Sequence, residues 1–290
     1  MARNPAARTA IGPMVLAAVE QNEPPDRRLV QDDLAFSFLP ATLRALVRTT
    51  RLPAVRRMMV AGFERSGPGL WSNIACRKRF IDEKLDESLA EIDAVVILGA
   101  GLDTRPYRLA HRTDIPVYEV DLPKNIARKK KTVRRALGGQ PPSVRLVPVD
   151  FERDDLAAEL AKQDYRTDYR TFFIWEGVTQ YLTPDAVRAT FEFLRGAAPS
   201  SRLVLTYVRK DFIDGENMYG AESVYRKFRK RRQLWHFGLR PDEVSEFVAE
   251  YGWQLLQNAG PDYLGEHYIQ PAGRDLTASQ VEWSAFAEKE

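Results

Sequence analysis

The sequence predicts an α/β protein built on a mainly parallel sheet, and three observations carry that expectation. In the first, Ala94–Arg105 (AVVILGAGLDTR), an unbroken apolar run, Val95 to Leu98, meets Gly99-Ala100-Gly101 and then an acid, Asp103. A short apolar run bounded by glycines reads as a strand buried on both faces, and the glycines let a ligand approach the turn with no Cβ between. The second is the alternation of apolar runs with helical stretches from residue 94 to 208, the rhythm of βαβ units. The third is an acid at or just past the end of each of four predicted strands, Asp103, Asp121, Asp150 and Glu176. In a doubly wound sheet those ends converge on one crevice.

Taken in order, residues 1–10 read as disordered and Ile11–Glu20 as a helix. Glu23-Pro24-Pro25-Asp26 breaks the chain, because two prolines cannot sit inside a helix. From Leu34 to Val60 apolar residues at mixed helical spacings, punctuated by Pro40 and Pro53, predict short helices packed as a cap, so residues 1–75 read as a helical N-terminal cap. Ser66-Gly67-Pro68-Gly69 is a turn, and Trp71–Leu89 one longer helix. Predicted strands follow at Ala94–Leu98, Val117–Val120, Val144–Val149, Thr171–Trp175 and Arg202–Val208, with helices over Lys124–Leu137 and about Asp154–Lys162. Thr183 and Pro184 open the next helix as cap and first helical residue. Residues 209–240 leave this rhythm and read as a lid inserted over the carboxyl edge. Pro241–Tyr251 is a predicted helix, and Gly252–Leu256 begins a final antiparallel pair, so that residues 76–290 form one domain with its lid.

Composition bounds the function. With 44% hydrophobic and 29% charged residues the chain has ordinary soluble-protein usage. A net charge of +3 is too small to imply nucleic acid, and no apolar run suits a membrane helix. A single cysteine, Cys76, excludes an internal disulfide and a cysteine-based zinc cluster, and no metal is expected. The expected location is cytoplasmic. The basic runs Arg128–Lys131 and Arg226–Arg232 read as solvated helix faces, the second also able to draw in an anion.

Asp121 lies 20 residues after Gly101, the offset at which a carboxylate takes ribose hydroxyls. One such acid alone reads as a helix cap; four at successive strand ends point to a ligand. A dinucleotide site places pyrophosphate on the helix N-terminus behind a third glycine. Here that position is Thr104, and Asp103 would repel the phosphate, which with the lack of a Tyr-x-x-x-Lys pair disfavours an oxidoreductase. S-adenosylmethionine, with a sulfonium and an ammonium and no phosphate, suits an acid-rich crevice. Intact acids at all four strand ends argue against a non-catalytic binding module.

The motifs CRKRFID (Cys76–Asp82), VILGAGLDTRPYRL (Val96–Leu109), YEVDLP (Tyr118–Pro123), VPVDFERD (Val147–Asp154), FIWEGVTQYLTP (Phe173–Pro184) and FGLRPDEVSEFVAEYGW (Phe237–Trp253) occur in this order. In them the chain resembles the leucine carboxyl methyltransferase family and its bacterial branch of small-molecule O-methyltransferases. The resemblance implies a Rossmann-like class I methyltransferase sheet with S-adenosyl-L-methionine as cofactor. It implies Arg77 at the methionine carboxylate, Gly99 and Gly101 under the methionine part, and Asp121 on the ribose. It also implies Asp150 on the adenine amino group, Phe151 lining the adenine pocket, and Glu176 facing the ammonium, while Asp103 joins the set as the acid of the first loop.

Methyl transfer from a sulfonium needs positioning and water exclusion more than side-chain chemistry. A carboxylate acceptor arrives ionised; a phenol benefits from a base. The candidates for contact with the acceptor are Tyr181, His236 and His267, while His111 reads as structural. The expected substrate is a small organic acid, giving a methyl ester, or a phenolic metabolite, with the acid favoured because no histidine falls in a family motif. A protein C-terminal carboxyl is the alternative acceptor, and the sequence leaves the oligomeric state open.

Overall fold

The computed structural model describes residues 11–231 and 233–290; the expectation for residues 1–10, and Arg232 of the second basic run, lie outside them. The strands are β1 (Ala94–Leu98), β2 (Val117–Asp121), β3 (Val144–Pro148), β4 (Thr171–Trp175), β5 (Arg202–Val208), β6 (Trp253–Ala259) and β7 (Glu282–Lys289). They form one sheet in the order β3-β2-β1-β4-β5-β7-β6, in which β7 alone runs antiparallel to the rest. The order reverses between β1 and β4, so the crevice outside their carboxyl ends is where such a sheet binds ligands.

The helices are α1 (Ile11–Glu20), α2 (Ala35–Phe38), α3 (Ala41–Thr49), α4 (Pro53–Glu64), α5 (Leu70–Ser88), α6 (Arg105–Leu109) and α7 (Pro123–Leu137) before β3. After it come α8 (Leu156–Ala161), α9 (Pro184–Arg195), α10 (Lys210–Asp214), α11 (Glu222–Tyr225), α12 (Val244–Ala249) and α13 (Pro261–Leu264). Every residue of β1, β2 and β4 is buried, as strands covered on both faces require. Alternate residues serve opposite layers. Val95 and Ile97 face a core shared with α1, α2 and α5, while Val96 and Leu98 face one shared with α8, α9 and α12. The N-terminal helices therefore share the core of one sheet face.

Several ends follow from local chemistry. Thr183 Oγ1 accepts from the Ala186 amide at 3.2 Å and Pro184 takes the first helical position, as expected for α9. Glu64, the last residue of α4, caps α5 by accepting from the amides of Gly69 and Trp71 at 2.7 and 3.1 Å. The helix expected over Pro241–Tyr251 is confined to α12, because the Pro241 carbonyl accepts from the Asn258 side chain at 3.0 Å and the chain turns before helix begins. His111, which reads as structural in the sequence, lies exposed in the turn after α6.

The basic run of α7 is only partly a solvated face. Lys130 and Lys131 are exposed, but Lys129 is 1% exposed and turns under the β1–α6 loop. Its position is three and four residues before Thr132 and Val133, on the side of α7 that meets the sheet. Its ammonium donates to Glu119 Oε1 at 2.5 Å and to the Asp103 carbonyl at 2.7 Å, and Tyr107 Oη donates to Glu119 Oε2 at 2.5 Å. This buried set fixes the loop after β1 from beneath. Removing one partner leaves a buried charge uncompensated, so Lys129→Ala is expected to cost about 3–5 kcal/mol of stability. Lys130→Ala, one residue on and exposed, should stay within about 0.5 kcal/mol. Urea denaturation of both variants decides it: equal midpoints would show that the network does not support the loop.

Candidate functional site

A cavity of about 770 Å³ opens at the carboxyl ends of β1, β2 and β4, in the upper part of the roughly 300–1,000 Å³ range of small-molecule sites. The sheet supplies its floor, α5 one wall, and the segment between β5 and α12 part of its cover. Arg77, Gly99, Gly101, Asp103, Asp121, Asp150, Phe151 and Glu176 all line it, as do Tyr181 and His236. His267 does not. Its ring stacks on Tyr263 with centroids 3.8 Å apart, and its Nδ1 is 3.0 Å from the Tyr263 carbonyl, which removes it from the candidates for contact with an acceptor.

At the end of β4, Glu176 is the hub of a buried charge network. Its Oε1 accepts from Arg77 Nε at 3.0 Å and its Oε2 from Arg105 Nη1 at 2.8 Å, with Lys78 Nζ 3.7 Å away. Arg77 also donates from Nη1 to Glu282 Oε2 at 2.5 Å. Arg105 donates to Asp103 Oδ2 at 2.6 Å and to Asp82. Two of the four acids, Asp103 and Glu176, are thus paired with cations of the same chain, which corrects at these two positions the picture of carboxylates open to a cationic ligand. Asp103 is additionally committed as a cap, its Oδ1 accepting from the Arg105 amide at 2.8 Å.

Arg77 and Lys78 both line the cavity, and Arg79 turns away to pair with Glu83 at 2.9 Å. Lys78 and Arg79 are the neighbours that a shift of helix register would exchange for Arg77, and of the two only Lys78 faces the cavity; Arg105 and Glu282 were missed from the sequence. Glu282 opens β7 opposite Val208, the last residue of β5, because an antiparallel strand begins where its parallel neighbours end. That geometry is the signal that could have found it.

Asp121 is held from three sides: Oδ2 accepts from the Gly101 amide at 2.6 Å, and Oδ1 from the Leu122 amide and Asn125 Nδ2, each at 2.7 Å. A carboxylate has about four lone-pair sites, so the carboxylate keeps room for a further donor and Asn125 can be exchanged for another. Asp150 and Phe151 stand half-buried beyond β3. Gly99 has φ +76°, and a Cβ there would lie 2.3 Å from Val178 Cγ2, so the turn after β1 requires glycine.

The rest of the wall is apolar: Met14 from α1, Leu70 and Ile74 from α5, and Val224, Phe228 and Leu234 from the segment after β5. The cavity has a charged half over the strand ends and an apolar half under the cap and that segment. Tyr181 and Trp235 meet edge to face within it, ring centroids 6.3 Å apart.

Burial alone would raise the Glu176 carboxyl, but Lys78, Arg105 and Arg77 outweigh it and hold it well below the usual carboxylate range. Burial likewise works to raise the Asp103 carboxyl, and Arg105 and Lys78 outweigh it, so that it too is held below the usual carboxylate range. For a depressed folded-state pKa, the unfolded chain binds more protons in acid. The stabilisation is therefore complete above the unfolded value, about 4.3 for Glu, and is lost as pH falls through the folded one. Glu176→Gln should destabilise by about 3–5 kcal/mol at pH 7, by leaving buried cations uncompensated, and by clearly less at pH 3. Urea denaturation at pH 7, 5 and 3 tests this; a constant gap would mean that Glu176 is not held ionised by the fold.

Comparison with known proteins bears on this arrangement. A model of the leucine carboxyl methyltransferase family matches residues 10–195, which leaves Phe237–Trp253 outside the match. A Mycobacteroides abscessus protein whose name assigns it to the S-adenosyl-L-methionine-dependent methyltransferases is 32% identical over 222 residues, 71% of this chain and 68% of its own. A Mycobacterium marinum protein of the same designation is 41% identical over 208 residues, 67% of this chain and 66% of its own. A third, from Frankia alni, is 30% identical over 266 residues, 86% of this chain and 83% of its own. Among solved structures, one titled as a methyltransferase from Thermobifida fusca superposes with a TM-score of 0.58 at 17% identity, covering 81% of this chain and 88% of that one. A DUF574 family protein from Streptomyces avermitilis gives 0.56 at 16% identity, covering 81% and 91%. At such identities the structures bear on the fold alone, which is that of this sheet. By its matched residues and its relatives, the chain belongs to the leucine carboxyl methyltransferase family and is an S-adenosylmethionine-dependent methyltransferase.

Proposed function

We propose that the protein transfers the methyl group of S-adenosylmethionine to an oxygen of a small organic acid or phenolic metabolite. The observation that carries this reading is the two-part cavity, in which the residues implied for the cofactor converge beside an apolar chamber. The residues present fit the cofactor. Carboxylates and cations both line the charged half, so groups of each sign are at hand for a ligand with two positive groups and one negative. On this reading Arg77 and Lys78 take its carboxylate, Glu176 its ammonium, Asp121 the ribose hydroxyls, and Asp150 with Phe151 the adenine. When bound, the cofactor supplies a methyl group on a sulfonium, whose bond to sulfur breaks with the electron pair staying on sulfur as the new carbon–oxygen bond forms.

The chain's own part is orientation and water exclusion. Met14, Leu70, Ile74 and Phe228 exclude water from the apolar half. Tyr181 and His236 stand in the wall as groups able to orient an acceptor oxygen, and the exposed His236 can take the proton that a phenol, but not a carboxylate, must lose. Among the described residues no helix is long and apolar enough to cross a membrane.

Cofactor class is tested by thermal shift. S-adenosylhomocysteine at about 100 times its Kd should stabilise the folded state by about 2.7 kcal/mol, while NADH and NADPH should not. Stabilisation by a nicotinamide cofactor alone would overturn the reading. A second test isolates the ribose contact. Asp121→Ala should weaken cofactor binding by roughly 5- to 100-fold, the loss of about 1–3 kcal/mol of hydrogen bonding. Unchanged affinity in calorimetry would take Asp121 out of the site.

A further inference from the structure

Two stretches of the chain break the even mixing of surface charge. Between Asp33 and Glu64, and again between Glu222 and Asp242, there is no acid, although the chain carries 40 acids in 290 residues. The first stretch holds α3 and α4, and the second most of α11 and the basic run after it. Elsewhere exposed cations pair with acids, as Arg166 does with Asp168 and Arg170 with Asp93. Within the two stretches Arg56 and Arg240 are paired, with Glu23 and Glu216. Arg48, Arg51 and Arg57 on the cap are exposed and make no ion pair with a described residue. The same holds for Arg226, Lys227, Lys230 and Arg231 on the basic run.

Large apolar side chains stand out in the same place. Leu46, Leu52 and Met58 are 44%, 63% and 67% exposed, and the one other such residue among those described, Leu256, lies on β6. Leu52 is at the corner between α3 and α4, and Met58 follows about 9 Å along α4, at about 1.5 Å per residue. Ala54, Arg57 and Met58, three and four residues apart, share the outward face of α4. The two acid-free stretches meet at the mouth of the cavity. Ser223 Oγ donates to the Ser66 carbonyl, which ties α11 to the end of α4. Phe63 and Phe228 line the cavity from the two sides, and Lys227, exposed yet part of the wall, stands at the opening.

We infer that α3, α4 and the basic run form a docking surface for an anionic lipid bilayer, with Leu46, Leu52 and Met58 entering the headgroup boundary and the cations lying on the headgroups. This goes beyond the methyl-transfer reading and does not depend on it. The protein lies on the bilayer and no helix crosses it. Charge and apolar contact together select this partner. Each Lys or Arg close to such a surface adds about fivefold in affinity, and aliphatic side chains gain by leaving water for the interface. A single-stranded nucleic acid calls for exposed aromatic rings on which bases stack, and the exposed large apolar side chains here are aliphatic. A second copy would set one acid-free surface against another, and like charges repel.

The test is cosedimentation of the full chain with vesicles of phosphatidylcholine alone and of a two-to-one mixture of phosphatidylcholine and phosphatidylglycerol. The mixed vesicles should bind roughly tenfold or more tighter, and the difference should shrink as added salt screens the cations. Lys227→Gln combined with Lys230→Gln should weaken that binding by roughly 10- to 30-fold, and Leu52→Gln combined with Met58→Gln by roughly 10-fold. Arg195→Gln is the control, because α9 packs on the opposite face of the sheet; it should change binding by less than about twofold. All five positions are exposed, melting curves confirm that each variant is folded, and the single Gln variants stand in for a pair that does not fold. Equal binding to the two vesicles, or none, would overturn the proposal, whether or not the chain takes up a single-stranded oligonucleotide or polyglutamate instead. Anionic binding that either pair of changes leaves intact would overturn it as well.

Discussion

The carboxylate of Glu176 is the point on which the arrangement of the site depends. It joins the end of β4 to Arg77 on α5 and to Arg105 at the start of α6, and through Arg77 it reaches Glu282 on β7. Four elements that are distant in sequence are thus held in register by charges removed from water. Such a network gives little net stability over an apolar packing, because desolvation offsets most of the attraction. Its value is positional. Oppositely charged groups kept at hydrogen-bonding distance are ready to exchange one another for the charged ends of a zwitterionic ligand, at little cost in reorganisation.

The two halves of the cavity are governed by different physics. Over the strand ends, main-chain amides and carboxylates meet, as at Gly101 and Asp121, and recognition is electrostatic and directional. Under the cap and the segment after β5, aromatic and aliphatic side chains meet, and shape and desolvation decide what fits. α5 serves both, since Asn73 and Ile74 lie one turn from Arg77 and Lys78. A helix repeats each face every three to four residues, so one element can deliver an apolar turn to one compartment and a cationic turn to the other.

Much of this was legible in the sequence, for identifiable reasons. The strand runs and the Gly99–Asp103 loop are local signals, and a parallel sheet places all its strand ends together, so Asp121, Asp150 and Glu176 could be assigned to one crevice before any coordinates. What escaped depends on tertiary context. Lys129 sits in a run of cations that reads as solvated, and only its coincidence with the Thr132 and Val133 face betrays it. Arg105 neutralises Asp103 and Glu176 because α6 turns it back toward the loop, which spacing does not reveal. Glu282 belongs to the site because β7 is inserted between β5 and β6, a pairing across 74 residues from Val208. His267 is a candidate by its place in the C-terminal region, and spacing does not reveal that its ring stacks on Tyr263 instead.

The place of β7 has a consequence for how the protein matures on the ribosome. β6 has no neighbour in the sheet until β7 arrives to lie between it and β5, and β7 ends thirty residues after Ala259. At roughly 5–20 residues per second, that is a delay of about 2–6 s in which β5 and β6 present unpaired edges. Glu282 enters on the same strand, so Arg77 lacks its second carboxylate over the same interval. The sheet edge and the charge network therefore close together, with the arrival of β7.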